Sequence, residues 1–309
     1  MIDEQTVLPN FLIVGAPRCG TTSTYHYLLQ HPDVFLPTIK EPSYFSLHWQ
    51  SSLPKGYIVP EGTKIGNWDS YSSLFGHAQG ARAIGEASSD TLYYHEHTIP
   101  EIRKRLAQPK IIVMVRNPVD RAFSSYQFLV RDGMESLSFE ESLSHEKTRT
   151  EDNWSHMWRY CAVSHYATAV QAFLENFDNV FVGFFDDLRE NPLKFIQSVF
   201  RFLDVDSDFA PNVKLAFNRS GRPASRCIQK MIVRPAKWQP VVRAMGCQVL
   251  GEHGWVRFRD SLKSRFVLPR ADLASETRAR MTGEFADDVQ SLQNLVGRDL
   301  SHWLRVPAK

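Results

Sequence analysis

The 309 residues are 43% hydrophobic and 23% charged with no low-complexity tract, the composition of a soluble globular protein with enough chain for a full core. No apolar run approaches the ~20 residues needed to cross a bilayer. Four scattered cysteines (Cys19, Cys161, Cys227, Cys247) form no C-x-x-C pair, which excludes a disulfide scaffold and argues against a zinc site.

The N-terminal MIDEQTVLPN is acidic and polar, unlike a secretory signal, and points to a cytoplasmic chain, with peripheral membrane attachment left open. The first apolar run, FLIVG (11–15), predicts a buried strand. It leads into GAPRCGTTS, which has the outline of the phosphate loop G-x-x-x-x-G-K-[ST]. Gly15 and Gly20 fit, but Thr21 stands in the lysine's place and the loop's cation is Arg18. A helix predicted over 21–31 would aim its first amides at an anion whatever the side chains are. Next comes KEPSYF (40–45), which holds Glu41 in a turn between Lys40 and Pro42.

The run AIGEA (83–87) predicts a second strand ending near Glu86. His95–His97 (HEH) reads as a solvated loop before a helix over 98–108. IIVMV (111–115) is the third strand, followed by Arg116. Asn117 and Pro118 are a good cap and first position for a helix over 118–131, which carries Ser124. Further on come a helix at 161–177, the strand VFVGFF (180–185), a helix at 192–203 and a last helix over about 275–296. Strand and helix alternate without linker or repeat. The fold class is therefore α/β, one domain over 1–309 with a central parallel β-sheet and helices on both faces.

The net charge of +2 conceals a basic stretch from Arg219 to Arg270, with twelve Lys/Arg against Glu252 and Asp260. It suits an anionic ligand, an acidic acceptor or a membrane surface, or else is a solvated face.

Ligands of such sheets bind beyond the carboxyl ends of the strands. The loop at Gly15, Glu86 and Arg116 should thus share one edge. A triphosphate enzyme needs the missing lysine and, after a strand, an aspartate for Mg²⁺. Arg116 stands there instead, so the site asks for two separate anionic groups and no metal.

These motifs resemble the sulfotransferases that use 3′-phosphoadenosine 5′-phosphosulfate (PAPS), above all the heparan-sulfate type and their bacterial relatives. GAPRCGTTS is similar to their 5′-phosphosulfate loop, and RNPVDRAFSSY to their 3′-phosphate motif. KEPSYF resembles the segment with the catalytic glutamate, and GEASSDTLYY (85–94) the pattern G-E-K-[ST]-P-x-Y. HYATAVQAFLENF, DDLRENP and GRDLSHWL also follow the family. The resemblance covers nearly the whole chain and implies a P-loop-like domain with acceptor-side insertions at about 45–82 and 225–270.

It further implies Glu41 as catalytic base and Arg18 as the cation facing the leaving group. Arg18, Cys19, Gly20, Thr21, Thr22 and Ser23 would hold the donor's 5′ end, Arg116 and Ser124 its 3′-phosphate, and Gly221 with Arg222 (NRSGRP, 218–223) a backbone clamp. Lys40 and Glu86 fall on the acceptor side, because the family's lysine after the second glutamate is Ala87 here. The implied partners are the nucleotide donor and a hydroxyl-bearing acceptor on a carbohydrate or glycolipid, anionic or membrane-associated, with no nucleic acid. Other readings stay open: a degenerate P-loop kinase or NTPase, a silent nucleotide-binding module, or a sulfotransferase for a small natural product or carrier-bound acyl chain. At single positions, Glu41 with Lys40 could be a solvated turn pair, and Glu86 a buried partner of a helix-end cation. Tyr44, Phe45, Trp49, Trp68 and Tyr71 read more readily as packing than as sugar stacking.

Overall fold

The computed structural model describes residues 7–57, 67–214, 222–223, 267–268 and 272–306, the two residue pairs by their backbone alone. Five strands form one parallel sheet: β1 (Phe11–Gly15), β2 (Val34–Phe35), β3 (Ala83–Ala87), β4 (Lys110–Val115) and β5 (Val180–Phe184), in the order β2-β3-β1-β4-β5. Strand β1 lies in the middle, with Phe11 opposite both Gly85 and Lys110. All of β1 and β3 is buried, which is why neither alternates: β1 is apolar throughout, and β3 is interrupted by Glu86. The two residues of β2 are too few to show a period.

Helices flank the sheet on both faces. In chain order they are α1 (Thr21–Leu28), α2 (Tyr44–Leu47), α3 (Trp68–Ser72), α4 (His95–Arg105), α5 (Pro118–Arg131), α6 (Phe139–Ser144), α7 (Glu146–Glu151), α8 (Ala167–Asn176), α9 (Phe185–Glu190), α10 (Pro192–Phe202), α11 (Ser275–Glu284) and α12 (Ala286–Val296). Asn117 caps α5 by accepting from the Asp120 amide at 3.2 Å, with Pro118 in the first turn as its chemistry dictates.

Three expectations are corrected. His95–His97 is not a loop but the first turn of α4, where His97 stacks on Trp49 at 3.9 Å. The segment 161–177 is a 3₁₀ turn (Ala162–Ser164) followed by α8. The last helix is two, broken at the fully buried Phe285. The second of them sets Asp288 against the start of α8, where its carboxylate accepts from the Tyr166 and Ala167 amides at 2.8 and 3.1 Å. That is an N-terminal cap supplied from 120 residues away in the chain, roughly, and no local propensity announces it.

The closing GRDLSHWL has a structural task. Arg298 grips Asp187 through both terminal nitrogens at 2.5 and 2.7 Å, and Trp303 Nε1 donates to Asp186 at 2.7 Å. The Trp303 carbonyl in turn accepts from Asn117 at 3.0 Å. The C-terminal turn thereby ties the end of β5 to the start of α5, beside Arg116.

Candidate active site

Three strand ends do meet at one edge. The Ala16 amide donates to Met114 of β4 at 2.7 Å, while the Ser88 and Leu92 amides donate to Ile13 and Val14 of β1 at 3.1 and 2.6 Å. The loop after β1 is therefore held between β4 and the segment following β3. A Cβ on Gly15 (φ +144°) would lie 2.5 Å from the Ser89 carbonyl oxygen, so only glycine permits this approach. Gly20 (φ +95°) opens α1 and offers no side chain to cap it. The positive end of α1 faces the loop, as an anion site requires.

Around that loop the side chains are basic. Arg18 Nε donates to Ser124 Oγ at 3.3 Å, and its guanidinium lies 4.9 Å from the Phe128 ring. Arg116 Nη1 donates to the Arg18 carbonyl at 3.3 Å and stacks over Phe185 at 4.4 Å. Arg116 and Ser124 are both buried. Burial, then the charges of Arg131 and Arg116, push the Arg18 guanidinium down to about 9, which leaves it charged at neutral pH. Asp132, the carboxylate that opposes this effect, is already bonded to Arg131 at 2.9 Å. A cluster of like charges with so little compensation is stabilised by an anion.

Other loop residues differ in what they can offer. Thr21 is buried, with Thr22 and Ser23 partly exposed. Cys19 turns its thiol into the core, 3.7 Å from Tyr166 Oη, and its amide donates to Ala16 at 3.3 Å. Burial pushes that thiol up to about 11. Cys19 thus shapes the loop from beneath. The Arg18 side chain reaches across the loop to Ser124 of α5.

On the other flank the side chains are acidic. Glu41 (φ +61°) donates its amide to Ala87 of β3 at 2.9 Å. Its carboxylate accepts from the Ser89 amide at 2.7 Å and from Ser89 Oγ at 3.1 Å, and it pairs with Lys40. Burial raises the Glu41 carboxyl, but the charge and hydrogen bond of Lys40 and the donors of Ser89 outweigh it and hold it below the usual range. The Lys40–Glu41 turn pair thus exists, yet it is partly buried and anchored at the strand ends.

Glu86 is buried and accepts from Ser88 Oγ at 2.7 Å rather than from a helix-end cation. Burial pushes it up to about 8. Asp90, equally buried, accepts from Ser46 and Ser43 at 2.8 and 3.3 Å, and burial followed by the Glu41 charge pushes it up to about 7. His156 completes this flank. Burial holds it near 4 and therefore neutral, and its Nδ1 has no hydrogen-bond partner. Sequence reasoning missed Ser89, Asp90 and His156, whose roles depend on contacts between segments far apart in the chain.

The expected aromatic set packs as a cluster, with Tyr44 stacked on Tyr71 at 5.1 Å and Trp68 5.5 Å from Tyr44, while Trp49 is 40% exposed. Among the described residues no His/Cys/Asp/Glu group is arranged to hold a metal. Gly221 and most of the 219–270 basic stretch lie outside the described residues. The backbone of Arg222 pairs antiparallel with Leu268 and lies against α5, on the side of Ser124's helix.

The fold is that of a P-loop-like protein, with a cationic loop at the strand ends. The family described as "Sulfotransferase domain" matches residues 8–220, and the chain belongs to that family. A crystal structure of a sulfotransferase from Alicyclobacillus acidocaldarius superposes with a TM-score of 0.71 at 32% identity, covering 97% of this chain and 100% of that one. Carbohydrate sulfotransferase 15 of Mus musculus is 30% identical over 173 residues, 44% of this chain and 30% of that protein. Bifunctional heparan sulfate N-deacetylase/N-sulfotransferase 4 of Mus musculus is 25% identical over 311 residues, 96% of this chain and 31% of that protein. The chain thus spans less than a third of the length of these curated relatives. It carries a sulfotransferase domain, and members of the family generally draw the sulfuryl group from PAPS. Among the described residues no helix is long and apolar enough to cross a membrane.

Proposed function

We propose that this enzyme moves a sulfuryl group from PAPS to a hydroxyl of a carbohydrate or glycolipid acceptor by in-line displacement. The observation that carries the reading is the meeting of a cationic loop and an anchored carboxylate at Gly15. Arg18, Arg116 and Ser124 stand on one side of the loop, and Glu41, held by Ser89, on the other.

The donor fits the residues present. Gly20, Thr21, Thr22 and Ser23 would hold its 5′ end at the start of α1, and Arg116 with Ser124 its 3′-phosphate. Arg18 and Ser124 would exchange their mutual hydrogen bond for donor oxygens. Bound there, the donor supplies an activated sulfuryl group and a nucleotide bisphosphate leaving group. The acceptor oxygen gives its proton to Glu41 as its bond to sulfur forms and the bond from sulfur to the phosphate oxygen breaks. The negative charge that builds on that phosphate oxygen is met by Arg18 and the α1 amides, fixed dipoles that need no reorganisation. Lys40 and Ser89 keep Glu41 ionised and therefore able to accept the proton. The carbohydrate acceptor draws support from the relatives' names, which specify carbohydrate and heparan sulfate.

The test is ³⁵S-labelled donor offered to a panel of polysaccharides, glycolipids, small phenols, amines and carrier-bound hydroxyacyl chains. Label should enter polysaccharide or glycolipid hydroxyls. Label confined to phenols, amines or acyl chains would remove the acceptor assignment and leave the sulfotransferase assignment standing.

A further inference from the structure

Helix α5 carries a buried arginine that the donor contacts described above do not use. Among the described residues Arg121 is the largest with no solvent exposure, 0%. Its Nη2 donates to the Tyr160 carbonyl at 2.9 Å. Its Nε and Nη1 have no hydrogen-bond partner, and among the described residues no carboxylate forms an ion pair with it. A buried charge without a partner is among the costliest features a fold can carry, and one that persists calls for a reason.

Its surroundings supply the reason. Arg121 lies one helical turn before Ser124, and Ser124 and Phe128 of the same helix both touch Arg18. Arg121 is within electrostatic reach of Arg18 and Cys19 in the donor loop and of Tyr166 beneath it. Arg18 also feels Arg116 and Arg131. Four guanidiniums therefore gather at one end of the sheet, and the innermost has no anion of its own.

We propose that Arg121 is a positioning residue of the donor site, a buried cation whose counter-charge is the phosphorylated nucleotide bound beyond Ser124. It does not touch the nucleotide. It acts through the low-dielectric interior between α5 and the loop, where a charge is felt far more strongly than in water. This inference rests on the donor reading given above. Its physical consequence is an opposition of signs: the charge is uncompensated in the free protein and compensated in the complex. Removing it should spare or help the first and harm the second. A residue that merely tied α5 to Tyr160 would, when removed, weaken the free protein and leave nucleotide preference alone.

The experiment uses the full chain with Arg121→Met, which keeps the length of the side chain and removes the charge, and Arg121→Lys, which keeps the charge. Thermal unfolding is followed without ligand. Kd is measured by calorimetry for 3′-phosphoadenosine 5′-phosphate and for adenosine 5′-phosphate. In R121M the unliganded Tm should equal or exceed that of the wild type, while the Kd for the bisphosphate should rise about tenfold, the gain from a 1.4 kcal/mol loss. The Kd for adenosine 5′-phosphate should rise less. R121K should keep the wild-type preference between the two nucleotides. An R121M protein that melts lower or does not fold, or that keeps the wild-type preference, overturns the proposal, as does loss of the preference in R121K. A wild-type enzyme without any preference for the bisphosphate would instead refute the donor reading itself.

Discussion

The two flanks of the Gly15 loop face opposite electrostatic problems and solve them differently. On the α5 flank, Arg18, Arg116, Arg121 and Arg131 gather, and among the described residues Asp132, bonded to Arg131, is the carboxylate that offsets the charge around Arg18. On the α2 flank, Glu41, Glu86 and Asp90 gather around one cation, Lys40, and the relief is protons: Glu86 and Asp90 are pushed up to about 8 and 7 while Glu41 stays ionised. One flank gathers cations and the other carboxylates, the division that the proposed donor and base roles require. The difference also shows how the chain affords a single ionised carboxylate in a crowded acidic site. Serines Ser43, Ser46, Ser88 and Ser89 hand out the donors, and Ser89 gives its amide and hydroxyl to Glu41.

Neutralising each flank separately is the sharpest way to break the contrast. Glu41→Gln should lose about 10²–10⁴ in kcat while the Kd for 3′-phosphoadenosine 5′-phosphate stays within about twofold. Single-turnover transfer with labelled donor, alongside calorimetry, checks both halves, and a variant with near-normal kcat would return the proton to another group. On the opposite flank, Arg116→Ala should weaken the bisphosphate by about 10–100-fold, the range for hydrogen bonds to charged groups, and weaken adenosine 5′-phosphate much less. Equal losses for the two nucleotides would mean that Arg116 does not see the 3′-phosphate.

Ser89→Ala sharpens the comparison within the acidic flank. Hydrogen bonds to the ionised form lower a carboxyl's pKa, so deleting the Ser89 hydroxyl should raise that of Glu41. The base must be ionised to work, so the acid limb of kcat should move to higher pH, with the fall in kcat largest below about pH 5 and small at about pH 7. An unmoved limb with lowered Tm would make Ser89 a packing residue only.

The smallest effect is on stability. Glu86 and Asp90 bind protons more tightly in the folded than in the unfolded chain. Their contribution is therefore complete below about pH 4 and fades as pH rises toward 8. Glu86→Gln and Asp90→Asn should lessen that decline, so that each variant gains a few degrees of Tm on the wild type between pH 5 and pH 8. A difference in Tm that does not change with pH would show that these carboxyls are not held neutral.

The sequence displayed the sheet more fully than the helices, and the donor flank more fully than the acidic one. Phe11–Gly15 and Ile111–Val115 are buried on both faces, so their apolar runs are unbroken, while in the equally buried Ala83–Ala87 the run is interrupted by Glu86. The break at Phe285 was hidden because it serves Asp288's distant cap on α8. Arg18 and Arg116 were legible because strand ends in a parallel sheet fix where they must lie, whereas Glu41 was legible through the family resemblance of KEPSYF. Ser89 and Asp90 were not, since they matter only once KEPSYF folds back onto the segment after β3, more than forty residues on, roughly. Arg121 was in plain view in RNPVDR, five positions after Arg116, but only its complete burial gives it meaning.

The most direct test of the two-anion site is calorimetric titration of the wild-type enzyme with 3′-phosphoadenosine 5′-phosphate, with adenosine 5′-phosphate, and with ATP in the presence and absence of Mg²⁺. Tightest binding should be to the bisphosphate, unaffected by Mg²⁺, with adenosine 5′-phosphate at least tenfold weaker, a difference of about 1.4 kcal/mol or more. ATP binding as tight as the bisphosphate and strengthened by Mg²⁺ would contradict the account.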